Sequence, residues 1–162
     1  MLKNKNGITL IALVFMIIVI LILTSIFIAT SLRALNEAKN TEIQSEIRAL
    51  EDAISERYTS YVKNNKSVNS SLIGASPTSK WSSESDCIEA VLNTIDYSKL
   101  SEEDKENRIN KISGDIARDY KEYVKVISKR EANSLGIQQF SQDNVYVVDY
   151  YTTTAYGPIK ED

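Results

Sequence analysis

Histidine is absent from the 162 residues, and cysteine occurs once, at Cys87. Without histidine the chain lacks the commonest general base and the commonest transition-metal ligand. Zinc centres and Ser-His or Cys-His nucleophile pairs are thereby excluded. A lone cysteine cannot form an intrachain disulfide; Cys87 is read as a small buried apolar residue, ahead of a redox or interchain role. Excess positive charge is missing too: Lys and Arg number 19 against 22 Asp and Glu, a formal net charge of −3. A nucleic-acid partner, which calls for a basic face, is not expected. Neither a metal, nor a cofactor, nor an enzymatic activity is expected. Only an enzyme built on Asp/Glu or Lys stays open, and the spacing of Asp143 and Asp149 does not by itself define a carboxylate pair.

What is abundant is apolar length. From Ile8 to Leu32 there is no charge, no proline and no glycine, and only Thr9, Thr24 and Ser25 interrupt the stretch Ile8 to Ala29. As a helix those residues span about 33 Å, enough for a hydrocarbon core of about 30 Å. A secretory signal has a shorter apolar region, about 7–15 residues, and a small-x-small cleavage site. The sequences around Ala29 and Ala34 fit that pattern poorly, so the segment is expected to be retained as a membrane helix. Lys3 and Lys5 precede it, which places the N-terminus in the cytoplasm and the remainder outside.

The start of the chain, MLKNKNGITLIALV, joins a short basic leader and a glycine to Ile8, Thr9, Leu10, Ile11, Ala12, Leu13 and Val14. It resembles the N-terminus of type IV pilins and pseudopilins. The resemblance implies cleavage between Gly7 and Ile8 by a prepilin peptidase and N-methylation of Ile8. It also implies assembly through Thr9 to Val14 and the helix they open. Glycine suits such a junction because a residue without a side chain lets a protease approach the backbone closely. Further partners implied are the membrane, other pilin subunits in a homo- or hetero-filament, and, indirectly, an assembly ATPase and platform protein. The location implied is the bacterial cell membrane, single-pass, and then an extracellular filament. The sequence departs from the family at Ala12, where a glutamate is usual. That carboxylate is thought to pair with the N-terminal amine of a neighbouring subunit, so its absence points to a minor subunit or to the Gram-positive form, in which ITLIALV is frequent. A signal-anchored extracellular binding module that never assembles is the alternative.

Beyond the bilayer the helical pattern continues. Leu35, Ile43, Ile47, Leu50, Ile54, Tyr58 and Tyr61 recur at helical spacings, with Glu42, Glu46, Arg48, Glu51, Asp52, Glu56 and Arg57 between them. This is an apolar stripe with a polar opposite face. It is read as the core face of a C-terminal domain, with a coiled-coil seam as competitor. No proline or glycine interrupts Ile8 to Asn65, so a single helix of about 55 residues is expected.

Asn64 to Ser83 is rich in Asn, Ser, Gly and Pro and reads as a loop, in which Trp81 packs down on the domain or makes contacts. Ser83 with Asp86, and Ser101 with the acids that follow, mark two helix starts. The acids Glu102, Glu103, Asp104 and Glu106 read as a solvated helix start, since no calcium-loop spacing appears. Tyr120 to Ile127 has strand composition; Ser128 with Glu131 is a capping box, and Gly136 a helix end. Asn144 to Tyr151 is the clearest strand, and Ala155 to Ile159 a return strand ended near Pro158. Seven of nine tyrosines lie between Tyr97 and Tyr156, suiting a sheet face or a contact surface.

The fold expected is therefore α+β and pilin-like: a long N-terminal helix, half membrane and half amphipathic, packed on a small antiparallel sheet. The division expected is leader 1–7, membrane or filament-core helix 8–30, amphipathic half 31–64, and headgroup 65–162.

Overall fold

A computed structural model describes residues 5–64, 71–141 and 143–159, with side chains from residue 11 onward except at 29. Helix α1 runs Lys5–Lys63, and the chain divides within it into two compact units, Met1–Glu42 and Ile43–Asp162. In the first unit the only described element is α1.

The second unit is α+β. After α1 come a 3-10 turn at Pro77–Ser79, helix α2 (Glu84–Leu92), helix α3 (Glu102–Asp119), strand β1 (Val124–Ile127), helix α4 (Lys129–Ser134), and strands β2 (Val145–Asp149) and β3 (Thr154–Ile159). The three strands form one antiparallel sheet in the order β1-β2-β3, with Val126 opposite Val147 and Val148 opposite Ala155. The expected long helix on a small antiparallel sheet is what the second unit contains.

The centre of the sheet is β2, and every residue in it is buried. Alternation along the strand sends its side chains into two separate cores. Tyr146, Val148 and Tyr150 pack with Leu50 and Ile54 of α1, Ala132 of α4, and Phe140. Val147 packs on the other face with Cys87 and Val91 of α2 and with Ile112 and Ile116 of α3. The sheet is thus covered on both faces, by α1 on one and by α2 with α3 on the other. Full burial of each Leu, Ile or Val contributes about 1.5–3 kcal/mol.

Local signals account for the helix limits. Ser83 and Asp86 form a reciprocal capping box at α2, as do Ser128 and Glu131 at α4. The Ser101 hydroxyl accepts from the Asp104 amide at the start of α3. Gly136 follows α4 with φ +87°, the left-handed conformation that a helix-terminating glycine adopts.

Several expectations are corrected. Helix α3 passes through Gly114 to Asp119, and Tyr120 is its C-terminal cap, so the strand begins only at Val124. A glycine inside a helix costs about 1 kcal/mol, which burial of Ile112 and Ile116 on either side outweighs. The stretch read as a loop contains the Pro77–Ser79 turn and a bridge between Ala75 and Val126, whose backbone bonds are 3.0 and 2.9 Å. Leu35, assigned to the apolar stripe, is 61% exposed. Glu46, assigned to the polar face, is buried. The return strand expected over Ala155 to Ile159 is present as β3 and begins one residue earlier, at Thr154.

Candidate functional site

In the first unit the functional feature is the surface of α1 itself. Its apolar segment has a mean hydropathy of 3.3 and is long and apolar enough to cross a membrane. The large apolar side chains from Ile11 to Leu32 are exposed around the whole helix, from Ile18 at 46% to Phe27 at 71%. Residues 11–23 are apolar without interruption, so this part of the helix has no polar face. Leaving so many such groups in water would cost tens of kcal/mol, at roughly 1.5–3 kcal/mol for each. Lipid or like helices are the solvents in which that cost vanishes.

Three hydroxyls of the segment bond to carbonyls of their own helix. Thr24 Oγ1 donates to the Ile20 carbonyl at 2.7 Å and Ser25 Oγ to the Leu21 carbonyl at 2.8 Å. Thr30 Oγ1 lies 3.1 and 3.0 Å from the carbonyls of Ile26 and Phe27. Hydroxyls bonded this way do not have to be desolvated unpaired in an apolar medium.

Gly7, Ile8, Thr9 and Leu10 lie on the backbone of α1, and their side chains fall outside the described residues. Ile11, Ala12, Leu13 and Val14 are all exposed on the same helix. The helix therefore carries all eight sequence-predicted positions on one continuous element, without bringing them together into a pocket.

In the second unit, α1 is fastened by polar residues beside its apolar stripe. The Glu46 carboxylate accepts from the Ser141 amide (2.6 Å), Asn144 Nδ2 (2.8 Å) and Tyr146 Oη (2.6 Å). Glu51 Oε1 accepts from the Ala155 amide at 3.4 Å. Arg57 donates through Nε and Nη2 to the Ser71 carbonyl at 3.0 and 2.8 Å. Sequence reasoning missed Glu46. The signal was its spacing: Glu46, Leu50 and Ile54 fall at i, i+4 and i+8, on one face of the helix.

A second buried polar corner lies where α3 ends and β2 turns into β3. Asp149 is fully buried; it accepts from the Tyr151 amide at 3.0 Å and Thr152 Oγ1 at 2.8 Å, closing the turn. Burial pushes its carboxyl above the usual range, with the neighbouring Asp119 charge adding to the rise and the turn's hydrogen bonds opposing it. Asp119 is held by Arg118, whose Nε and Nη2 lie 3.0 and 2.5 Å from its two oxygens, while Nη1 reaches Asp115 at 3.1 Å. Asp143 is exposed and Asp149 is sealed at the far end of β2. Among the described residues, no group of three or more His, Cys, Asp or Glu is placed to hold a metal ion.

The tyrosines divide between core and surface. Tyr146 and Tyr150 are fully buried, while Tyr151 is 53% exposed. The Tyr151 ring lies 6.3 Å from that of Tyr58 and 5.7 Å from that of Tyr123, and the Arg118 guanidinium sits 4.8 Å from its centroid. Cys87 is fully buried, and burial, with the Glu84 charge as a lesser cause, pushes its thiol up to about 12. The thiolate needed for redox chemistry is therefore suppressed.

Comparison with known proteins gives no match to a family model, to a curated protein or to a solved structure.

Proposed function

We propose that this chain is a structural subunit of a type IV pilus or of a related secretion or DNA-uptake filament. In this reading a prepilin peptidase cuts between Gly7 and Ile8, and Ile8 is N-methylated. The subunit first sits in the bacterial membrane as a single-pass protein with its N-terminus cytoplasmic. It then joins other subunits through the apolar part of α1, moved by an ATP-driven assembly platform. The observation that carries the reading is the all-round exposure of Ile11 to Leu32, on a helix whose other half belongs to a small α+β unit.

The physics of assembly follows from that surface. Transfer of an apolar helix from lipid to a bundle gains little hydrophobic energy, because lipid is already apolar. Close packing between neighbours and work from the platform supply the drive. Ala12 offers no carboxylate to the amine of Ile8, which fits a minor subunit or a Gram-positive filament.

The test is intact mass and N-terminal sequencing of the chain from membranes of cells that carry a prepilin peptidase. A chain beginning at methylated Ile8 supports the reading. One that still begins at Met1 refutes it and favours a signal-anchored binding module. In the same cells Gly7→Leu should keep the full leader and fail to assemble; normal processing of that variant would defeat the cleavage assignment.

A further inference from the structure

A cleft of about 400 Å³ opens in the second unit at the outer edge of β3, the last strand of the sheet, between the helical layers. That volume falls in the range of small-ligand sites, about 300–1,000 Å³. Thr154 to Gly157 of β3 line its floor. Arg48 comes to it from α1, the layer on one face of the sheet, and Arg108 from α3, the layer on the other. Both arginines are exposed. Among the described residues, neither guanidinium makes an ion pair or a hydrogen bond. Two carboxylates line the same cleft, yet they serve backbone amides instead. Glu51 Oε1 accepts from the Ala155 amide at 3.4 Å, and Asp96 Oδ1 from the Ser98 amide at 2.9 Å.

We infer that this cleft binds a phosphate group, clamped between Arg48 and Arg108. The ligand is an anion, because both unpaired groups are cations that keep their charge at any ordinary pH. Its shape follows from counting donors. Each guanidinium presents a planar fork of N–H groups that fills both oxygens of a carboxylate in one bidentate contact. A carboxylate held by one arginine therefore leaves the other without a partner. A phosphomonoester has three terminal oxygens and a charge close to −2, which serves a fork from each side. A metal cation would face two guanidinium groups and is rejected by them. Glu51 and Asp96 oppose any anion, so the affinity expected is modest.

The inference does not depend on whether the chain assembles into a filament. It is tested on the full chain in a non-ionic detergent at about pH 8, where the ester is a dianion. The probe is sn-glycerol 3-phosphate, and its phosphorus NMR signal is the reporter. A saturable shift with a midpoint of about 1 mM is expected, the strength of two charge-assisted contacts. Acetate in about ten-fold excess, at matched ionic strength, should leave it unchanged. Arg48→Gln and Arg108→Gln, both at exposed positions, should each weaken it about ten-fold. Far-UV circular dichroism establishes that the variants are folded. A second arm offers the same group on a lipid, phosphatidic acid mixed into the micelles. Tighter arginine-dependent binding there makes a lipid headgroup the source; equal or weaker binding makes it a soluble ester. No saturable shift with either form, displacement by acetate, or an affinity that both substitutions leave intact overturns the inference.

Discussion

Removing the Glu46 carboxylate should loosen α1 from the sheet by a predictable amount. The carboxylate is 4% exposed and accepts from three donors, and the donors are not equivalent. Ser141 and Asn144 are partly exposed, so water replaces Glu46 there and the loss is about 0.5–1 kcal/mol for each. Tyr146 is fully buried, and its hydroxyl loses the carboxylate to which it donates, at a cost of about 1–3 kcal/mol. With the void left by the side chain, Glu46→Ala should cost about 3–5 kcal/mol. A domain of ordinary stability has about 5–15 kcal/mol in all. Urea unfolding of the full chain in micelles, followed by Trp81 emission and near-UV circular dichroism, measures it. A double-mutant cycle isolates the cause: Tyr146→Phe removes the hydroxyl that donates to Glu46, so the double variant should be about 1–2 kcal/mol more stable than the two single losses summed. A Glu46→Ala loss below about 0.5 kcal/mol, or a coupling near zero, would refute the reasoning.

Two further expectations concern the sheet. The Asp149 carboxyl has a folded pKa above its unfolded value, so between the two values the folded state holds a proton that the unfolded state has released. Stability contributed by this group is therefore present at acid pH and lost as pH rises through that window. Asp149→Asn should accordingly be more stable than the parent at pH 7, with the difference shrinking as pH falls through that window towards the ordinary aspartate value and levelling off below it; a pH series of urea midpoints checks it. Gly157→Ala should destabilise by about 2–4 kcal/mol. Its φ is +145°, and a Cβ there would lie 2.6 Å from Tyr146 Cδ1 and 3.1 Å from the Val145 carbonyl. Thermal unfolding of the variant provides the comparison.

Much of the fold was legible because its signals are local. The Ser83–Asp86 and Ser128–Glu131 boxes and Gly136 are each fixed within a few residues, and NVYVVDYY has no competing helical pattern. What escaped depended on contacts distant in sequence. Glu46 scores as polar on any pattern, and its burial is intelligible only once Ser141, Asn144 and Tyr146 arrive from nearly a hundred residues away. The second layer on the sheet escaped likewise. The faces of α2 and α3 were readable, but nothing local says that they cover Val147 and Val124 rather than each other alone. Of the candidate site, the long apolar helix was plain from composition; that Thr24 and Ser25 bond to their own helix was not, since such hydroxyls can equally bond a neighbour. The Pro77–Ser79 turn was hidden by the loop-like residues that build it.

The hydroxyls of Thr24, Ser25 and Thr30 spend their protons on their own helix. They give a neighbouring helix no donor to lock onto. The segment around them offers a neighbour an almost wholly apolar surface. Were copies to pack together as proposed, their angular setting would be dictated from outside the span. In the proposed assembly the apolar part would supply cohesion, and the orientation of each subunit would fall to the second unit.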